Sequence, residues 1–168
     1  MNKLFLVIVL SVLGLHAAAQ KTLEEKKFFL QLETAYDFAT FNEKNLSFSE
    51  SNLLLNFKVV PKLIATLQMG NSRSFLHEEK IYEDLLKFGG GLGYLIPINK
   101  VNIPSYAEIA VRGGVLAPMD DNSKNEGGYV DVLLKTHEGF AFLSFGITNT
   151  WMNGKHYIGP FAAIGITL

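Results

Sequence analysis

From Lys27 to the last residue, polar and apolar side chains alternate with a period of two in segments about ten residues long. Successive side chains of a strand point to opposite faces, whereas a helix would scatter these residues around its surface. In segment 27–40, Phe28, Leu30, Leu32, Tyr36 and Phe38 share one face, and Gln31, Glu33 and Asp37 share the other. Segment 52–60 sets Leu53, Leu55, Phe57 and Val59 against Asn56 and Lys58, and 63–75 sets Leu63, Ala65, Leu67 and Met69 against Thr66, Gln68, Gly70 and Ser72. In 88–96, Phe88, Leu92, Tyr94 and Ile96 oppose Gly89, Gly91 and Gly93. Segment 106–116 opposes Ala107, Ile109, Val111 and Val115 to Glu108 and Arg112. In 129–135, Val130, Val132 and Leu134 oppose Asp131 and Lys135. Segment 140–150 places Ala141, Leu143, Phe145 and Ile147 against Ser144, Gly146 and Thr148, and 157–168 is the eighth.

The pattern predicts eight strands joined alternately by longer polar connections (41–51, 76–87, 117–128, 151–156) and shorter ones (61–62, 97–105, 136–139). Pro61-Lys62 reads as a tight turn, because proline fixes φ and cannot extend a ladder. Within 78–86, the spacing of Ile81 and Leu85 predicts a short helix. The fold class expected is all-β: an eight-stranded antiparallel up-and-down transmembrane β-barrel.

The first residues break this pattern. Met1-Asn2-Lys3 is a short positive start, Leu4 to Leu15 is almost wholly apolar, and Ala17-Ala18-Ala19 offers small residues for cleavage before Gln20. That order is a secretory signal peptide, with an apolar run too short to span a bilayer as a helix. Residues 1–19 are therefore read as a signal, removed near Ala19, and residues 20–168 as the barrel domain. The chain has no cysteine, so neither disulfides nor a lipid anchored on a cysteine enter the picture. A net charge of −1 gives no basic patch for nucleic acid.

Soluble and membrane barrels share this alternation with the faces exchanged. The membrane alternative draws on two features. Gln31, Glu33, Lys58, Gln68, Glu108, Arg112 and Asp131 mix both signs on the polar face, with small residues that leave room in a narrow lumen. Aromatics also gather near strand ends: Phe28 and Phe29, Phe38 and Phe41, Tyr94, Tyr106, Phe140, Trp151 and Tyr157. The soluble alternative is a lipocalin-like periplasmic ligand binder, apolar inside.

With the signal peptide, the eight segments and a final strand reading Gly159-Pro160-Phe161-Ala162-Ala163-Ile164-Gly165-Ile166-Thr167-Leu168, the chain resembles the small outer-membrane β-barrel proteins of the OmpA/OmpX-like class. That resemblance implies localisation in a Gram-negative outer membrane, contact with its lipids, and a last strand read by the barrel-assembly machinery. Ile164, Ile166 and Leu168 match the alternate apolar positions of that signal, with Leu168 where the class usually has Phe. Pro160 departs from an ordinary strand because it cannot donate to a ladder.

Motifs for chemistry are sparse. Gly89-Gly90-Gly91-Leu92-Gly93 lacks the Lys-Ser/Thr of a phosphate loop. His77-Glu78-Glu79 lacks the second histidine of a zinc-protease helix, and His77 with His156 makes too few metal ligands. His137-Glu138 is expected in a solvated turn. Ser144 faces the polar side, away from any lipid substrate. The expectation is a non-enzymatic protein without cofactor or metal. Its lumen charges Glu33, Lys58, Glu108, Arg112 and Asp131 fill the interior, with Glu108 and Arg112 as candidate partners. Its role would be envelope integrity, adhesion or partner binding, with a surface ligand reached through the outer loops. The alternative from another class is a porin-like conduit for small or hydrophobic solutes.

Overall fold

A computed structural model of the chain describes residues 26–41, 44–76, 81–98, 105–120, 126–152 and 154–168. The proposed signal peptide, His77 and the first part of the expected helix lie outside the described residues. Eight antiparallel strands close into one barrel in sequence order. They are β1 (Phe28–Phe41), β2 (Lys44–Val60), β3 (Leu63–Leu76), β4 (Ile81–Ile98), β5 (Ser105–Pro118), β6 (Gly127–Glu138), β7 (Ala141–Met152) and β8 (Lys155–Thr167). The expected barrel and its up-and-down order are thus the fold. Each strand continues into the next through a local connection, and β1 pairs with β8, so no edge is left open.

The register defines the geometry. Cross-strand partners lead from Leu30 through Leu55, Leu67, Gly90, Gly113, Val130, Asn149 and Ile158 back to Thr40 on β1. The circuit returns ten residues further along (40 − 30). Such a stagger tilts the strands by about 40° and leaves an interior only wide enough for side chains. Pro61-Lys62 turns β2 into β3, and Gly139, at a φ of 60°, opens the turn into β7. Proline interrupts the closing seam as its chemistry requires. The β1–β8 ladder runs from Gln31↔Thr167 to Asp37↔Phe161, omits Gly159 and Pro160, and resumes at Thr40↔Ile158.

The strands are longer than the alternation predicts. β2 takes in most of the expected loop 41–51, and β4 takes in Ile81 to Leu86, where the spacing suggested a helix. β6 likewise runs through His137 and Glu138. The connections shrink accordingly. Two residues separate β1 from β2, four separate β3 from β4, and two separate β7 from β8. The contrast of long and short connections survives only in part, since eight residues lie between β5 and β6 but six also lie between β4 and β5. Closing each ladder satisfies backbone groups that a polar loop would leave to water, and local helical spacing cannot compete with two flanking strands.

Candidate functional site: a capped polar interior and an apolar outer wall

Strand parity sorts the side chains into two sets. Leu32, Leu67, Leu92, Ile109, Val111, Val132, Phe145, Ile147 and Ile164 stand outward at 45–60 % exposure, while Gln31, Glu33, Gln68, Glu108, Arg112, Asp131 and Lys135 are buried inside. This is the reverse of a water-soluble protein, whose buried residues are mostly apolar. Large contiguous apolar surface of this kind marks contact with a membrane or a partner.

The interior is layered. At the rim beside turn 61–62, Phe29, Ile64, Leu95 and Tyr106 form an apolar cluster. Above it runs a chain of neutral polar groups. Thr66 Oγ1 donates to Asn56 Oδ1 at 2.7 Å, Asn56 Nδ2 to Gln31 Oε1 at 3.3 Å, and Gln31 Nε2 to Thr167 Oγ1 at 3.1 Å. Beside it, His137 Nε2 and Glu108 Oε2 are 2.9 Å apart. The midsection carries the charges. Arg112 Nη1 donates to Glu33 Oε1 at 2.8 Å, and Nη2 reaches Asp131 Oδ2 at 3.4 Å. Lys87 Nζ donates to both oxygens of Glu50 at 2.7 Å and lies 3.8 Å from Asp131. Carboxylates outnumber Lys and Arg here, and neutral donors add to the cations: Asn52 Nδ2 bonds Glu33 Oε1 and Glu50 Oε2, and Thr148 Oγ1 bonds Asp131 at 2.8 Å, while the buried Glu33 Oε2 has no hydrogen-bond partner among the described residues. Apolar residues Ala35, Ala110, Leu133, Phe161 and Ala163 fill the remaining space. At the far rim, Leu46, Phe48, Leu85, Leu116, Tyr129, Met152 and Tyr157 close the barrel with a second apolar cluster.

The glycine stripe of β4 is what lets this interior close. A Cβ on Gly89 would collide with the Tyr129 hydroxyl, one on Gly93 with the Glu108 carboxylate, and one on Gly91 would lie 2.8 Å from Arg112 Cγ. Long polar side chains from β5 and β6 lie across bare backbone on β4, so the stripe gives room to neighbours rather than a phosphate cradle.

Four of the five lumen charges singled out from sequence are fully buried: Glu33, Glu108, Arg112 and Asp131. Arg112 joins Glu33 and Asp131, but the hydrogen bond of Glu108 goes to His137, which corrects the expected Glu108–Arg112 pair. Residues four apart on a strand share a face yet stand about 13 Å apart along it. Lys58 lies elsewhere, half-buried at the near rim where the β2–β3 register shifts. His137 is also corrected, from a solvated turn to a 1 % exposed position opposite Tyr106. Its place two residues beyond Lys135 and four beyond Leu133 was the available signal.

Glu50 and Lys87 were missed because both fall in segments read as loops. There the pattern changes sign. In β2, Leu46 and Phe48 point inward with Glu50, while Ser49 and Ser51 point outward. A capped barrel beyond its apolar band is apolar inside and polar outside, which the search for one constant pattern passes over.

The outer wall has its own ends. Exposed Phe28, Phe57, Tyr94 and Phe140 ring the near rim, with Phe28 and Phe57 edge-on at 5.2 Å, and Tyr36, Phe38 and Trp151 stand toward the far rim. Of the aromatics expected in these girdles, Phe29, Tyr106 and Tyr157 instead turn inward to the two apolar clusters. Beyond the apolar band, Arg73 and Asp84 form an exposed pair, Nε to Oδ1 at 2.7 Å and Nη2 to Oδ2 at 3.0 Å. This guanidinium holds the Asp84 carboxyl below the usual carboxylate range. Ile164, Ile166 and Leu168 alternate along the end of the chain with outward parity, and Leu168 donates its backbone N–H to Leu30 at 2.9 Å.

No group of three or more metal-ligating side chains assembles among the described residues. No family model, no curated protein and no solved structure matches the chain, so its fold and geometry stand alone as the guide to what it does.

Proposed function

We propose that the chain is a small, non-enzymatic outer-membrane barrel that works through its outer wall and rim rather than through a pore or a catalytic centre. The carrying observation is the inversion: exposed apolar residues circle the outside while ion pairs fill the inside. A bilayer core has no water for unpaired backbone groups, and a closed sheet meets that demand. Aromatic rings at both margins of the band support the same reading. In this reading residues 1–19 export the chain, the barrel-assembly machinery recognises β8 through Ile164, Ile166 and Leu168, and the protein contributes to envelope integrity or binds a partner.

The two apolar clusters favour this reading over a conduit, because an ion would have to pass both and the salt-bridged layer between them. A soluble ligand binder would hold its apolar surface inside, around a cavity. Two measurements on the detergent-extracted mature chain test the proposal. Unheated protein should migrate as a compact band that shifts on boiling, and planar bilayers containing it should show no channel steps. An absent shift would overturn the barrel-in-membrane reading, and steady conductance would restore the conduit.

A further inference from the structure

A sector of the apolar wall is polar. Thr34, Ser51 and Asn71 are consecutive cross-strand partners on β1, β2 and β3, and all three side chains point outward and are exposed. The row beyond them is Tyr36, Ser49, Arg73 and Asp84. At about 3.3 Å per residue and a tilt of about 40°, the ten-residue stagger raises each strand about 3 Å above the one before it. Thr34, Ser51 and Asn71 are then level with Phe88, Val115, Val130, Val132, Ile147 and Ala162 on the remaining strands. The sector is therefore within the height of the apolar band and not beyond it.

We infer that this β1–β3 face is where a second copy of the chain docks, an inference that rests on the membrane reading above. Hydroxyl and amide side chains in lipid gain most from a partner that returns their hydrogen bonds. The choice of partner follows from charge and chemistry. Arg73 and Asp84 already neutralise one another, so the margin of the sector offers no net charge to an anionic lipid headgroup. Thr34, Ser51 and Asn71 each present both donors and acceptors, so the same patch complements itself about a two-fold axis, as a symmetric dimer requires. Ser51, central in the row, would lie nearest that axis.

The absence of cysteine makes the test direct, since an introduced thiol is unique in the chain. The mature protein is reconstituted in phospholipid vesicles as Ser51→Cys and, on the opposite wall, Val132→Cys, and treated with a short bis-maleimide. Ser51→Cys should give a species of twice the monomer mass, and Val132→Cys should remain monomeric. Adding Thr34→Leu and Asn71→Leu to Ser51→Cys should cut the cross-linked fraction at least tenfold with the heat-shifted band intact. Equal cross-linking at both sites, or none at either with the heat shift intact, would overturn the dimer. Lipid that co-purifies with the wild type but not with Thr34→Leu/Ser51→Leu/Asn71→Leu would also overturn it, in favour of a lipid occupant. A wild type with no heat shift would instead overturn the membrane reading and this inference together.

Discussion

Lys87 on β4 and Glu50 on β2 meet across an intervening strand, with Lys87 Nζ 2.7 Å from both carboxylate oxygens. The contact is possible because the inward residues of β3 between them are Gly70 and Ser72, and Gly70 has no Cβ to stand beside Asn52. Nζ also lies 3.9 Å from the centre of the Tyr129 ring, under the far apolar cluster. Both groups are about 97–98 % buried, so breaking the pair leaves a charge with little recourse to water. Lys87→Met alone should cost on the order of 3–5 kcal/mol in refolding stability. Lys87→Met with Glu50→Leu should recover much of that loss, because no lone charge remains. Urea titrations in lipid vesicles measure both; equal losses for the single and double variants would show that packing, not pairing, sets the cost.

Glu108 leads to a prediction that separates it from Arg112. Its hydrogen-bonded partner is His137, whereas Arg112 is shared by Glu33 and Asp131. A double-mutant cycle between Glu108→Gln and His137→Gln should therefore give a coupling of about 0.5–3 kcal/mol. The same cycle between Glu108→Gln and Arg112→Met should give a smaller one.

The glycine stripe should resist any side chain. At Gly93 a Cβ collides with the Glu108 carboxylate, and at Gly91 with the carbonyl of Val111. Gly93→Ala and Gly91→Ala should each destabilise the barrel by about 1–3 kcal/mol, the usual cost of overfilling a packed interior. Gly139 is a different case, with open space around its Cβ position but a φ of 60°. Gly139→Ala should cost less, through backbone strain alone, and circular dichroism melts would rank the three.

Val111 faces outward between Leu92 and Val132 on the neighbouring strands. If that wall contacts lipid, Val111→Lys should cost about 2–4 kcal/mol near the bilayer midplane. Refolding into vesicles with no measurable penalty would place this face in water and return the soluble barrel to the lead.

Removing Ile166, Thr167 and Leu168 should block membrane assembly. Two contacts of the closing seam go with them, the Gln31–Thr167 bond and the Leu168 N–H to Leu30, together with the Thr167 N–H to Phe140 on the β7 side. Fractionated cells should show the truncated chain depleted from the membrane. Normal levels there would mean that neither the seam nor the apolar end signal is needed.

Alternation alone determined much of this protein. Leu53, Leu55 and Phe57 against Asn56, or Ile109 and Val111 against Glu108 and Arg112, specify strands and which residues share a face, while the closed barrel decided that the apolar face is the outer one. Eight such segments specify the barrel, because period-two patterning is local and is not changed by what surrounds it. Contacts between strands were decided only by the closed sheet. Glu50 and Lys87 are 37 residues apart and come together through the β2–β3–β4 register. His137 reads as a turn residue until the two-residue turn at Gly139-Phe140 keeps it within β6, against Glu108. Phe29 and Phe28 are identical neighbours in sequence, yet parity buries one in the near apolar cluster and exposes the other to the outside. A stagger of ten residues around the ring fixes which inward side chains share a layer, and stagger is a property of the whole circuit that no single segment encodes.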